Sequence, residues 1–346
     1  MSDAYRPRAF TMRALAVAVT VYEKVSGFSG HLRPEVRSVD RRLRVHIAER
    51  TVETDDVVSL RLEPVAGGPL PRWHPGAHVD VELPSGRLRQ YSLCGDPAVR
   101  DHYRIAIRRL GDGAGGSIEL HDLTVGSALT LRGPRNAFPL VEVPRYLFVA
   151  GGIGITPLLP MLRSVVAREA DWTFVYTGRS LASMPFVAEL RRLDPTRVHL
   201  WPDDEYGPPD PAKIVGLAPA GAALYACGPP AMIDALRGEL PAEHVASLHY
   251  ERFSAPPVVG GQTFEVVLAR SGHVVPVAAD ESALAAIRRV QPDVAYSCQQ
   301  GFCGTCPVAL LGGDVDHHDR CLTDGEREHR MAICVSRGTG RVTLDL

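Results

Sequence analysis

The chain has 346 residues, 45% hydrophobic and 23% charged, which is enough for two or three globular domains. Its formal net charge of −2 excludes the basic balance expected of a nucleic-acid binder or of a protein held electrostatically on a membrane. Seven cysteines, an odd number in no disulfide-like pattern, lead us to expect a reducing, cytoplasmic setting.

Residues 1–41 are an extension whose pattern indicates no role. The apolar run Ala14–Tyr22 is far too short to span a bilayer, and no convincing small-residue cleavage site follows it. From Leu43 the grammar changes to short alternating segments. Leu43, Val45 and Ile47 alternate with Arg44 and His46, and Val57–Leu62, Val79–Leu83, Gln90–Leu93, Tyr103–Arg108 and Ala128–Leu131 follow between Gly- and Pro-rich turns. Period-two strands at this spacing predict an antiparallel barrel or sandwich, ending at Gly133–Pro139.

One of these strands carries chemistry. In Arg89-Gln-Tyr91-Ser92-Leu93, Arg89, Tyr91 and Leu93 face one side and Ser92 the other. A flavin needs a cation for its phosphate, a flat aromatic against its ring system or ribityl chain, and a hydrogen-bonding group near N5, and this strand offers all three. The turn Gly113-Ala-Gly-Gly116-Ser117, preceded by Arg108 and Arg109, can aim N–H groups and a hydroxyl at phosphate. A solvated turn with two surface arginines is the alternative.

From Tyr146 the pattern becomes strand–helix–strand. Leu147–Val149 runs into Gly151-Gly152-Ile-Gly154-Ile-Thr156-Pro157 and then a helical stretch; further strands are expected at Thr173–Tyr176, Val198–Leu200, Leu224–Ala226 and Ser247–Tyr250. This predicts a parallel α/β domain. Its first glycine turn and a second junction, Tyr225-Ala-Cys227-Gly228-Pro229-Pro230, would line one crevice outside the strand ends, where a pyrophosphate can meet backbone N–H groups and a helix N-terminus. After strand Thr173–Tyr176, Arg179 and Ser180 could accept a 2′-phosphate, or Arg179 is simply a surface arginine.

Ser254–Gly261 has linker composition. A third domain opens with a hairpin, Phe264–Leu268 and Val274–Val277, contains a helix at Ser282–Val290 and ends on the strand Val342–Leu346. Within it Cys298, Cys303, Cys306 and Cys334 form C-x4-C-x2-C…C, the plant-type [2Fe–2S] spacing. Two irons each need two thiolates, so one loop supplies three and a distant segment the fourth. Gly301 and Gly304 let the loop's amides turn toward cluster sulfur. A structural zinc knuckle is the alternative, but zinc sites usually show two C-x2-C or C/H pairs and only one is present. The thirteen histidines include no Rieske C-x-H pattern and no facial-triad grouping, and His317-His318 reads as a solvated polar loop.

Taken in order, Arg89-x-Tyr-Ser-Leu, Gly-Gly-Ser117, Pro134-Arg-Asn-x-Phe-Pro-Leu140, the Gly151–Pro157 turn, Cys227-Gly-Pro and the cysteine loop resemble the phthalate dioxygenase reductase family, from about residue 42 to the end. The closing Ile333–Arg337 and Leu344–Leu346 stretches share the likeness. The resemblance implies an antiparallel β-barrel flavin domain at 42–141, a parallel α/β nicotinamide domain at 142–253, a linker at 254–261 and a β-grasp ferredoxin domain at 262–346. It implies FMN held by Arg89, Tyr91, Ser92, Arg108, Gly116 and Ser117. NADH would be held or faced by Gly152, Gly154, Thr156, Cys227, Gly228 and Pro229. Phe253, in Tyr250-Glu-Arg-Phe253, would lie near the flavin, with Ser92, Thr156 and Cys227 closest to the reacting atoms. The implied activity is that of a monomeric NADH-dependent reductase passing electrons to a Rieske-type oxygenase, with no nucleic-acid or membrane partner. FAD in place of FMN, or an electron carrier with a dead flavin site, are the competing readings.

Overall fold

The computed structural model describes residues 42–111, 115–239, 245–253, 258–292, 294–296, 298–302 and 304–346. The extension at 1–41, Gly113, the first half of the linker and Cys303 lie outside the described residues. Three sheets organise the rest.

The first sheet is built from β1 (Leu43–Thr54), β2 (Val57–Pro64), β3 (Ala77–Glu82), β4 (Leu88–Ser92), β5 (Tyr103–Arg108) and β6 (Ala128–Asn136). Its order is β4-β3-β6-β1-β2-β5, with every pairing antiparallel. Alternation explains it: Val45, Ile47, Leu60, Leu62, Val79, Val81, Leu93, Ile105 and Leu131 point inward and are fully buried. The edge strands approach at one isolated bridge, Leu93 to Ile105. Strand β6 does not stop before Pro134 as the sequence suggested. It shifts register opposite His78 and Asp80 and continues, pairing Arg135 with His78 and Asn136 with Ala77; an irregularity of this kind accommodates a residue that cannot donate.

The second sheet is parallel throughout: β7 (Arg145–Gly151), β8 (Asp171–Gly178), β9 (Val198–Pro202), β10 (Ala222–Cys227) and β11 (Val245–Glu251), in the order β11-β10-β7-β8-β9. Its near-continuous apolar strands are buried on both faces, as parallel sheets require. The helix Ile155–Ala167 packs against one face through Leu158, Leu159, Leu162 and Val165. The chain leaves β7 for β8 and later returns to β10 on its other side. The switch point therefore falls between the carboxyl ends of β7 and β10.

The connector from first to second sheet is held by two tyrosines of these strands. Tyr225 donates to Pro139 O at 3.1 Å and accepts from the Val141 amide at 2.7 Å. Tyr146 donates to Val141 O at 2.8 Å and accepts from the Val143 amide at 3.0 Å.

The third sheet has β12 (Phe264–Leu268), β13 (Val274–Val277), β14 (Pro307–Asp316), β15 (Arg330–Ala332) and β16 (Arg337–Leu344), ordered β13-β12-β16-β14-β15. The expected hairpin is β12–β13. The expected helix is shorter, Ala283–Ile287: Ser282 is its N-cap, accepting from the Ala285 amide, and residues 288–290 form a turn. Val266, Leu284, Ile287, Met331, Ile333 and Val342 form its core.

Candidate functional site

Strand β4 pairs with β3 so that Tyr91 sits opposite Val79, Arg89 opposite Val81 and Ser92 opposite His78. Arg89 and Tyr91 thus share the face of the buried valines, and Ser92, itself buried, shares the other with His78. Burial pushes the Tyr91 hydroxyl up to about 12, against the opposing pull of Arg89. Burial, aided by Arg135 and opposed by Asp80, brings His78 down to about 4, so the ring beside Ser92 is neutral.

The residues of the Gly-rich turn meet this strand. A Cβ on Gly116 would lie 2.6 Å from Arg89 Nε, so only glycine lets the guanidinium lie along the turn. Ser117 Oγ accepts from the Leu110 amide at 3.0 Å. A guanidinium, a glycine backbone and a hydroxyl at one turn form a donor set that suits a phosphate.

Arg108, at the end of β5, bridges to the second sheet. Its Nε donates to Asp56 at 2.8 Å, and its Nη1 lies 3.5 Å from where a Cβ of Gly152 would stand. Asp56 also meets Arg179 at 3.5 Å. Within the second sheet the two glycine turns touch. A Cβ on Gly154 would fall 2.1 Å from Cys227 O, and one on Gly228 would fall 2.9 Å from Gly151 Cα. A Cβ on Gly151 would strike Pro229 Cδ at 2.5 Å. The two turns are therefore packed backbone to backbone at the switch point, the place where open α/β sheets bind dinucleotides. Thr156 is buried and donates to Ile153 O at 3.0 Å.

Cys227 is fully buried, and burial, reinforced by Glu251, pushes its thiol well above the ordinary range. Glu251 is its register partner on β11. Burial raises the Glu251 carboxyl to about 8, and its Oε2 is sealed with no hydrogen-bond partner among the described residues. Two residues on, Phe253 is half exposed.

In the third sheet's domain Cys306 and Cys334 are buried and Cys298 is partly so. Cys334 hydrogen-bonds Cys306 and feels Cys298, and with burial these neighbours drive its thiol far upward. Three thiols brought to one place are a soft donor set of the kind that iron–sulfur clusters take. Gly301 and Gly304 hold φ of +77° and +68°, and the Gln300 amide donates to Cys298 Sγ at 3.4 Å. Among the described residues no three ligand-type side chains converge as for a single metal ion.

The cysteine loop lies beside the other sites. Gln300 Nε2 donates to Arg252 O at 3.3 Å, next to Phe253. Tyr296, two residues before Cys298, is raised by burial and by Asp80, with Arg288, Arg135 and Arg89 opposing. A cavity of about 840 Å³ is lined by Phe138, His249, Tyr250, Arg252, Gln300 and Phe302, among others, from all three sheets' domains. Arg89, Tyr91 and Ser92 do not line it.

Sequence reasoning gave no role to Asp56, Glu251, Gln300 or Asp319, and it misjudged His317. That ring is only 15% exposed and bonds the buried Asp319, whereas His318 is 53% exposed. No spacing rule marks such long-range polar contacts.

Residues 266–339 match the 2Fe-2S iron-sulfur cluster binding domain. The chain is 40% identical over 300 residues to a putative toluene-4-sulfonate monooxygenase system reductase subunit of Comamonas testosteroni, covering 84% of this chain and 95% of that one. Phthalate dioxygenase reductase, described as a modular structure for electron transfer from pyridine nucleotides to [2Fe-2S], superimposes with a TM-score of 0.66 at 34% identity, covering 89% of this chain and 98% of that one. An intact type IV self-sufficient cytochrome P450 monooxygenase superimposes with a TM-score of 0.69 at 36% identity over 91% of this chain, which spans only 43% of that protein. The glycine turns, the cysteine constellation and these likenesses converge: the chain belongs to the phthalate dioxygenase reductase family, the oxidoreductase components that deliver electrons to oxygenases.

Proposed function

We propose that this protein is an NADH-dependent reductase that passes electrons through FMN to its own [2Fe–2S] cluster and on to a Rieske-type oxygenase. The observation that carries the reading is contiguity. Arg108 reaches from the flavin sheet to Gly152 of the nucleotide turn, and Gln300 of the cysteine loop bonds Arg252 at the nucleotide sheet's exit. A bound flavin would supply the conversion between the two-electron chemistry of a nicotinamide and the one-electron chemistry of an iron–sulfur cluster.

The protein's own work is placement. Arg89, Arg108, Gly116 and Ser117 hold the phosphate; Tyr91 walls the flavin and Ser92 offers a hydroxyl toward it. Gly152, Gly154, Gly228 and Pro229 admit the dinucleotide, and Thr156 and Cys227 face the nicotinamide. Phe253 covers the ring system. Cys298, Cys303, Cys306 and Cys334 ligate iron, and the loop amides tune the cluster toward the potential of about −400 mV typical of plant-type centres. The first sheet is read as a closed barrel at 42–141, the parallel domain as 142–253, and the third sheet as a β-grasp ferredoxin domain at 262–346, in a monomer working in the cytoplasm. No helix among the described residues is long and apolar enough to cross a membrane.

An anaerobic titration with NADH tests the relay. Flavin and iron–sulfur bands should both bleach, and FMN should be released on denaturation. Bleaching of flavin alone breaks the relay, release of FAD corrects the cofactor, and absence of flavin leaves a carrier only. A second reading, with a haem monooxygenase as acceptor, rests on the likeness to part of the P450 chain. Rapid mixing of the reduced protein with each acceptor type separates the two.

A further inference from the structure

Asp319 is a buried carboxylate on which several parts of the cluster's surroundings converge. Its side chain has no exposed surface. Oδ2 accepts from the Leu322 amide at 2.9 Å, and Oδ1 accepts from Ser336 Oγ and His317 Nδ1, each at 3.3 Å. The Arg327 guanidinium lies 3.8 Å from Oδ2 and donates to the Asp319 carbonyl at 2.7 Å. Burial works against the charge, yet the Leu322 amide, His317, Arg327 and Ser336 together hold this carboxyl below its usual range. At neutral pH it is a desolvated anion.

Its neighbours are the two ligand-bearing segments. Arg320, the next residue, donates its amide to Gly301 O at 2.8 Å, inside the Cys298–Cys306 loop. A Cβ on Gly301 would stand 3.1 Å from Asp319 Cα and 2.6 Å from Val335 Cγ2, so Gly301 is pressed between Asp319 and the residue after Cys334. Ser336, two residues after Cys334, is fully buried and spends its hydroxyl on Asp319. The Asp319–Arg320 backbone thus holds the segment carrying three cysteines through Gly301, while the Asp319 carboxylate holds the segment carrying the fourth through Ser336. A fixed negative charge close to a cluster opposes an added electron, and groups behind the ligands set both geometry and potential.

We propose that Asp319 is a positioning residue for the iron–sulfur centre, tying the cysteine loop to the Cys334 turn and holding the reduction potential of the cluster low. The inference rests on the cluster being bound, but not on the flavin relay. A wild type with cluster and no flavin would overturn the relay and leave this test intact.

The test is a spectroelectrochemical titration of the holoprotein, with the EPR spectrum of the reduced cluster. Asp319→Asn keeps the shape and removes the charge. It should favour the reduced cluster by about tenfold, which is 59 mV for a one-electron couple. Ser336→Ala keeps the charge and cuts the tie to the Cys334 turn; it should leave the potential near wild type, alter the EPR g-values and speed loss of iron to a chelator. Should Asp319→Asn assemble no cluster, Asp319→Glu, which keeps the charge, should assemble one at a potential near wild type, and its failure to do so overturns the role of the charge. Wild-type potential in Asp319→Asn, or wild-type EPR and iron retention in Ser336→Ala, overturns the proposal.

Discussion

The crevice of the parallel sheet and the cysteine loop of the third sheet are organised by opposite means. In the crevice the backbone is already in place: Gly154 meets Cys227 O, Gly228 meets Gly151, and both turns sit on fully buried strands and the long helix Ile155–Ala167. Close packing, which leaves no alternative arrangement, holds it. The described residues of the cysteine loop, 298–302 and 304–306, form no helix or strand; Gln299, Gly301 and Gly304 hold positive φ, and single hydrogen bonds tether it at Cys298 Sγ and at Gly301 O. On the proposed reading its shape would depend on the iron its thiolates would hold, since metal binding and local folding are linked. A preformed site accepts a cofactor that comes and goes; a site completed by its ligand suits a cofactor that stays.

The largest effect should come from Gly154→Ala. The new methyl meets the Cys227–Gly228 peptide, backbone that cannot rotate away, so we expect destabilisation on the order of 3 kcal/mol. NADH-driven flavin reduction should fall about 100-fold through misplacement alone. Melting like wild type, with normal flavin reduction, would break the picture of a preformed crevice. Next is Cys334→Ser, which removes one of four ligands. Cluster absorbance should vanish while NADH still bleaches the flavin at the wild-type rate. Amide exchange should accelerate across 298–306 but not in β7 or β10, and uniform loosening of both regions would erase the contrast.

A smaller effect attaches to Glu251, whose carboxyl is raised from 4.5 to about 8 by burial. Between those values the folded state holds a proton that the unfolded chain releases, so stability falls as pH rises. The contribution is fully present below about 4.5 and lost through about 8. Thermal melts of the flavin-free protein from pH 5 to 9 should slope downward, and those of Glu251→Gln should be flatter; parallel curves would show that the carboxyl is already ionised. The smallest change is expected from Arg179→Ala. Its side chain is 71% exposed and its ion pair with Asp56 is a surface one. NADH turnover should change by less than about threefold. A large loss confined to NADPH would instead make that cofactor the physiological one.

These two regions also mark how far the sequence could be read. The cysteine spacing, the glycine turns and the Arg89–Ser92 alternation were legible because each is a local rule: a ligand count, a missing side chain, a period of two. Strand β14 was not anticipated. It is largely exposed and interrupted by Gly312 and Gly313, so it carries no apolar period to detect. Asp319, Asp56 and Gln300 were equally silent. Each acts on residues far along the chain, Gln300 on one 48 positions away, and an ordinary polar residue gives no sign of a distant partner.

The two tyrosine hydroxyls on the connector have a consequence for timing. Tyr146 and Tyr225 direct four hydrogen bonds to residues 139–143, so the passage from flavin sheet to nucleotide sheet is held along its length. The angle at which one ring system would meet the other is then settled when the chain folds, not searched for at each encounter. Orientation entropy that a hinged reductase would surrender on every turnover is surrendered here once.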